Sequence, residues 1–438
     1  MEKDAQLMEK IVSLAKRRGF IYPGSDIYGG LAGAFDYGHF GVALKDNIKN
    51  SWKKKFVKTR KDMFEVDAAI LMNGKVWETS GHVGGFSDPL VECTKCKRRF
   101  RADQLEDRNA CPECGGAFGE ERQFNMMFQT KIGAVEDSSA IAYLRPETAQ
   151  GMFVNFKNIM DSMHPKLPFG MAQIGKAFRN EITPRDFIFR VREFEQMEIE
   201  YFIRPELWEA EFNYWKDEMV EWMNSIGIDS ARVHELEVEG ADLAHYSKRT
   251  VDFEFDFPFG RKELYGLAYR GSYDLGVHQE VSGASLEYFD EETKERFIPH
   301  VIEPSFGLDR TVLALLTSAY TEVENDGEVR SFLKFKPSIA PNLACVSPLL
   351  KNKEELVHEA NAIYATLKQA FGTIAWDDNG NIGKRYRRQD EIGTPYCIVV
   401  DFDTLEDGTI TVRDRDSGTQ VRMHKDEVEQ FLRDSLEA

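Results

Sequence analysis

Nothing in this chain of 438 residues approaches the roughly 20 consecutive apolar residues that a membrane-spanning helix needs. Its first residues, Met-Glu-Lys-Asp-Ala-Gln, lack the apolar core of a secretory signal, so the expected location is the cytoplasm. The positive excess of a general nucleic-acid coat is missing too. Lysine and arginine number 56 against 74 aspartates and glutamates, a formal net charge of −18, so a nucleic-acid partner must be met by local basic patches. Cysteine is scarce: there are six, four of them in two close pairs, which fits metal binding in a reducing compartment rather than a disulfide framework. The Gly383-Lys384 pair is not a phosphate loop, because the upstream glycine spacing is absent. What is present is an ordinary globular composition, 42% hydrophobic and 30% charged, with length for roughly two to four domains.

The apolar spacing of Leu7, Ile11, Leu14 and Ala15 predicts a helix over 5–18, and that of Leu44, Ile48, Trp52 and Phe56 a second over 42–57. Residues 63–71 read as a strand, followed by His82 as a hydrogen-bonded structural histidine. Cys93-Thr-Lys-Cys96, then Cys111-Pro-Glu-Cys114, has the spacing of two cysteine knuckles on one Zn²⁺, a closed structural site beside the basic Arg98, Arg99 and Arg101. A helix start falls near Pro146 and Glu147.

Residues 173–202 read as two antiparallel strands around the turn-like Thr183-Pro184-Arg185-Asp186. Alternation places Arg179 and Glu181 on one face of the first strand, and Arg190, Arg192, Phe194, Gln196 and Glu198 on one face of the second. Such a face suits salt bridges in solvent, or a flat anionic ligand: arginine forks for phosphate, a phenyl ring for a base, carboxylates for an amine or metal. A helix over 206–226 with an aromatic core stripe follows, then strands over 250–257 and 262–274, an acidic surface loop over 288–296, and strand, glycine turn and helix over 298–319. Arg310 falls in that helix's first turn, where backbone N–H groups already favour an anion. The composition changes at Lys336–Pro341, and the remainder reads as a small α/β unit carrying the basic-aromatic run Lys384-Arg385-Tyr386-Arg387-Arg388, suited to RNA.

In order, Gly24-Ser-Asp-Ile-Tyr-Gly-Gly-Leu, Leu144-Arg-Pro-Glu-Thr-Ala-Gln-Gly, Phe178-Arg-Asn-Glu with Phe189-Arg-Val-Arg-Glu-Phe-Glu-Gln-Met-Glu, Glu303-Pro-Ser-Phe-Gly-Leu-Asp-Arg and Gly380-Asn-Ile-Gly-Lys-Arg-Tyr-Arg-Arg carry a resemblance. The chain is similar to class II aminoacyl-tRNA synthetases, and among them to the homodimeric glycyl-tRNA synthetases. The resemblance implies an α+β fold, with a six-stranded antiparallel catalytic sheet over 1–336 and an anticodon-binding α/β domain over 337–438. Within the first, 90–122 would be a zinc-ribbon-like insert and 205–300 a helix and strand insertion.

The same resemblance implies that glycine and ATP give glycyl-adenylate and pyrophosphate, and that glycine then passes to the 3′ end of tRNA(Gly). Arg179, Asn180, Glu181, Phe189, Arg190, Arg192, Phe194, Glu263, Leu264, Gly307, Asp309 and Arg310 would form the ATP site, with Glu263 on Mg²⁺ and with Arg179, Glu263 and Arg310 catalytic. Glu147, Phe194, Gln196, Glu198, Glu303, Ser305 and Gly307 would line the glycine pocket and Arg101 close it, while Lys384, Arg385, Arg387 and Arg388 would meet tRNA. Two alternatives stand beside this one: a catalytically inactive synthetase-like accessory protein that binds nucleic acid, and a synthetase of the same subclass for another amino acid. Loss of Arg179, Glu263 or Arg310 would mark the former, and all three are present.

Overall fold

The structure, a computed structural model, describes residues 2–134, 140–240, 243–244, 246–325 and 327–437. Helix α1 (Glu2–Arg17) turns Ile11, Leu14 and Ala15 into the core and ends at Gly19, whose φ of 75° favours glycine. Helix α2 (His39–Lys53) buries Leu44, Ile48 and Trp52, then widens into a π turn, Lys54–Lys58, that buries Phe56. Strand β1 (Met63–Glu65) is shorter than the expected 63–71, because the chain leaves the sheet; the Ala68 carbonyl is taken by the buried guanidinium of Arg145.

The central sheet is built from β1, β2 (Phe169–Phe178), β3 (Glu193–Ile203), β4 (Val233–Val238), β5 (Arg249–Phe257), β6 (Gly260–Gly271) and β7 (His300–Gly307). Its order is β4-β5-β6-β7-β3-β2-β1. The first six run antiparallel, as expected, and β1 adds a seventh strand parallel to β2. The segment 205–300, expected as an insertion, is integral instead, since it supplies β4, β5 and β6.

Helices α3 (Ala149–Phe153), α4 (Trp208–Ile226), α5 (Tyr273–Ser282) and α6 (Leu308–Ala319) surround the sheet. The strand expected over 262–274 ends at Gly271, where φ is 62°, so Asp274 stands in the first turn of α5. One face of the sheet, with Met197, Ile199, Tyr265, Leu267 and Phe306, packs under Trp52, Trp215 and Trp222 in a single core. Each large apolar side chain buried there contributes about 1.5–3 kcal/mol. The opposite face carries the polar residues.

The ribbon's stem is a three-stranded sheet, Ser87–Glu92 between Arg99–Arg101 and Arg122–Asn125. Beyond Lys336 a second sheet forms from β8 (Ala344–Pro348), β9 (Ile374–Trp376), β10 (Tyr396–Val400), β11 (Thr409–Asp414) and β12 (Gln420–His424), in the order β9-β8-β10-β11-β12. Helices α7 (Glu354–Phe371), α8 (Ile382–Ile392) and α9 (Val428–Glu437) accompany it, and Leu356, Leu367, Ile398 and Leu432 close a separate core.

Candidate active site

The polar face of the sheet opens into a cavity of about 320 Å³. Register sets its floor: across β6, β7 and β3, Gly266 lies beside Ser305 and Ser305 beside Glu198, while Ala268 pairs with Glu303. Of the expected ligand residues, Glu147, Arg179, Glu181, Phe189, Arg190, Phe194, Gln196, Glu198, Glu263, Leu264, Glu303, Ser305, Gly307, Asp309 and Arg310 line this cavity.

At one end sit the arginines. The Arg179 guanidinium lies 5.3 Å from the Phe194 ring centroid and 5.4 Å from that of Phe86, and its Nε donates to the Pro146 carbonyl at 3.1 Å. Arg310 stands 4.5 Å over Phe189 and pairs with the half-exposed Glu263 at 3.2 Å, which holds that carboxyl below its usual range. Arg190 pairs with Glu181 at 3.4 Å. Asp252, which also lines the cavity, is pushed up to about 7 by burial and then by Glu263 and Glu254.

At the other end four carboxylates crowd together. Glu198 accepts from the Thr148 N–H and hydroxyl, from Gln196 Nε2 at 2.8 Å and from Ser305 Oγ at 2.8 Å. Burial would raise Glu147, but His82, then Arg270 and Gln150, hold it well below the usual carboxylate range. Burial, with Glu198 and Glu147 nearby, pushes Glu303 up to about 8 despite its 2.8 Å pair with Arg270. Glu200, fully buried two residues beyond Glu198 with both oxygens unpartnered among the described residues, is raised far above the ordinary value by burial and by the neighbouring Glu303.

Several expectations are corrected. Arg179 and Asn180 lie just past β2, and Arg190 and Arg192 in the loop before β3, rather than on strands. The alternation of 187–192 serves the loop: Asp186 and Phe187 take positive φ, Arg185 and Arg190 bridge, and Ile188, Phe189 and Val191 are buried. Three ligand candidates do not line the cavity. Asn180 donates its N–H to the Met126 carbonyl, Arg192 binds the Ala32 and Glu181 carbonyls, and Arg101 is neutralised by Asp88 and Asp103, both at 2.7 Å. The Asp309 carboxylate is engaged within the protein, accepting from Tyr37, Lys45 and the Glu195 N–H. Leu264 is buried in the core, so its part in the cavity wall is backbone.

In the carboxyl-terminal sheet, Arg385 is 2% exposed and binds the carbonyls of Pro348, Asp378 and Gly380, and Arg388 is paired with Asp377. Arg385 is therefore an internal brace and not a surface contact for RNA, while Lys384 and Arg387 are exposed on α8.

Sequence reasoning missed Arg270, which is 1% exposed, bidentate to Asp274 and bonded to Glu303, with its guanidinium 3.7 Å from the Tyr246 ring centroid. The signal was available in β6, where Gly266, Ala268 and Arg270 alternate with buried Leu267 and Tyr269, so that the arginine shares the polar face of the sheet with two residues of the cavity wall.

The four knuckle cysteines bring their sulfurs within 4.8 Å of one another. Gly116 passes so close that a Cβ there would meet Cys93 Sγ at 3.1 Å and Lys95 Cβ at 2.8 Å. That is a donor set and spacing able to hold one tetrahedral metal ion.

Residues 129–319 match the family model described as the tRNA synthetase class II core domain (G, H, P, S and T), and residues 344–435 match the one described as the anticodon binding domain. Fold and site together define a class II aminoacyl-tRNA synthetase. The curated glycine–tRNA ligase of Lachnospira eligens is 50% identical over 460 residues, covering 98% of this chain and 99% of that protein. Those of Geobacillus thermodenitrificans (50% identical, 99% of each chain) and Thermobifida fusca (48% identical, 100% of this chain and 99% of the relative) match equally fully. The chain belongs to the glycine–tRNA ligase family. No helix among the described residues is long and apolar enough to cross a membrane.

Proposed function

We propose that this chain activates glycine with ATP and transfers it to tRNA(Gly). The observation that carries this reading is the division of one sheet face into an arginine end, with Arg179, Phe194 and Arg310, and a carboxylate end, with Glu147, Glu198 and Glu303. In the first step a glycine carboxylate oxygen attacks the α-phosphorus of ATP and pyrophosphate leaves. In the second a terminal ribose hydroxyl of tRNA attacks the adenylate carbonyl and AMP leaves.

Neither step needs a side-chain nucleophile, so the protein's part is to position substrates and balance charge. Arg179 takes the α-phosphate, while Phe194 and the Arg310 guanidinium enclose adenine, with Arg310 also reaching the terminal phosphate. Glu181 lies toward the adenine amine. Glu263, with Asp252 beside it, offers the carboxylate oxygens for Mg²⁺, which when bound would neutralise phosphate charge. At the other end Glu147, Glu198 and Glu303 receive the ammonium, and Ser305 lines the same wall. An arriving ammonium supplies the positive charge that lets Glu303 ionise. Alanine is refused by a clash of its methyl group in a rigid pocket, since attraction alone discriminates one carbon by only about 1–3 kcal/mol.

The cysteine cluster fits a structural Zn²⁺; binding is tested by metal analysis of reduced protein, and four freely alkylated thiols with no metal would sink it. The working form is a cytoplasmic homodimer, a state that sedimentation velocity tests. The catalytic reading is tested by charging tRNA(Gly) with labelled glycine: one AMP should appear per glycine transferred. Binding of tRNA without AMP release would favour the inactive accessory protein, against which the complete set of Arg179, Glu263 and Arg310 facing one cavity already counts.

A further inference from the structure

The turn between the central sheet and the ribbon touches both ends of the cavity. Residues His82–Gly85 form a single helical turn, and the Phe86 N–H closes it on the His82 carbonyl at 3.2 Å. His82 is 7% exposed. Its Nε2 lies 3.3 Å from Glu147 Oε2 and its Nδ1 is 2.8 Å from Ser80 Oγ. Trp77 and Phe86 pack their rings against the imidazole, each with centroids 5.4 Å away. Both ring nitrogens are therefore engaged, Nε2 against Glu147 and Nδ1 against Ser80, which fixes the plane of the imidazole against the carboxylate. The other Glu147 oxygen accepts from Gln150 Nε2 at 3.1 Å, so the carboxylate is fixed from two sides.

Four residues on, the Phe86 ring centroid lies 5.4 Å from the Arg179 guanidinium, which also lies 5.3 Å from that of Phe194. The turn is itself clamped by the ribbon's stem. Asn125 Nδ2 donates to the carbonyls of His82 (3.1 Å) and Val83 (2.9 Å), and the Met126 N–H donates to that of Phe86 at 2.9 Å. The Met126 carbonyl then accepts from the Asn180 N–H at 2.8 Å, next to Arg179.

We propose that His82 and Phe86 are positioning residues on one turn, with His82 orienting Glu147 for the amino acid, Phe86 backing Arg179 for the α-phosphate, and Asn125 tying both to the ribbon. This rests on the assignment of Glu147 to the ammonium and Arg179 to ATP. A buried carboxylate that loses its donor becomes misaligned and harder to ionise, and an arginine that loses an aromatic backing becomes mobile. The two effects belong to different substrates, and the tests separate them.

In glycine-dependent exchange, His82→Ala should raise the glycine KM by about tenfold to a hundredfold and leave the ATP KM within about twofold, with His82→Gln recovering part of the loss. Phe86→Ala should do the converse, raising the ATP KM or lowering kcat with the glycine KM nearly unchanged, and Asn125→Ala should move both. Thermal unfolding of each variant monitors the fold, and a cycle with Glu147→Gln tests the pairing, since His82→Ala should add little once Glu147 is altered. Equal changes in both KM values for His82→Ala and Phe86→Ala, or full additivity of His82→Ala with Glu147→Gln, would overturn the proposal. If Glu147→Gln itself leaves the glycine KM unchanged, the underlying site assignment fails instead.

Discussion

Asp252 never stood out as a site residue, yet its carboxyl lines the cavity beside Glu263 and, through burial and then that neighbour, rises from an ordinary 3.8 to about 7. The folded protein therefore keeps this proton to higher pH than the unfolded chain does. The stability it contributes is whole below about pH 4 and is lost as pH rises through about 7. Asp252→Asn cannot ionise and escapes that loss, so its melting temperature relative to the native protein should climb from pH 4 to pH 7.5 and then level off. A difference independent of pH would show that Asp252 titrates normally. Arg179 carries a larger burden, because among the described residues no other cavity arginine lies against both Phe86 and Phe194. Arg179→Ala should cut ATP–pyrophosphate exchange by on the order of a hundredfold or more while glycine binding, measured calorimetrically, persists. A place in the cavity wall was legible where a motif carried it, as with Arg179, Glu198 and Arg310. Residues were missed where they sat in an ordinary strand pattern, as with Asp252 and Arg270, whose partners Glu263, Asp274 and Glu303 are distant in sequence or on another element.

Periodicity spoke well for helices and poorly for the loop over 187–192. The aromatic stripe of α4 was plain in the sequence because a helix on a sheet must bury one face. Residues 187–192 alternate like a strand, but buried Ile188 and Val191 anchor a loop that holds Arg190 over the cavity. Alternation records which side chains are buried, not whether the backbone is paired. Arg385 teaches the same lesson: a basic run looks like a surface for RNA, yet this member is consumed by three backbone carbonyls. Arg385→Ala should strip those carbonyls of their donor and destabilise the carboxyl-terminal sheet by about 1–3 kcal/mol, seen as an earlier unfolding step, while glycine-dependent exchange stays unchanged. Lys384→Ala with Arg387→Ala should leave that unfolding step in place and weaken tRNA charging. If Arg385→Ala leaves stability untouched, the brace reading is wrong.

Specific ion pairs run between α8 and the segment before Lys336. Arg17 and Arg18 of the amino-terminal segment reach Glu391 on α8, at 3.2 Å for Arg17 and 2.5 Å for Arg18, and Arg330 reaches Asp390 at 2.8 Å. Asp390 is also held by Arg413, so α8 is pinned to the central domain and to its own sheet at once. These pairs tie the unit that matches the anticodon binding domain to the segment before Lys336.

In the proposed reaction the carboxylate end of the cavity reads glycine while the arginine end holds ATP. ATP–pyrophosphate exchange measured with glycine, alanine and serine in parallel tests it most directly. Exchange should proceed with glycine, and rates for alanine and serine should be lower by about two orders of magnitude or more. Exchange supported equally by alanine or serine, or none with glycine, would contradict it.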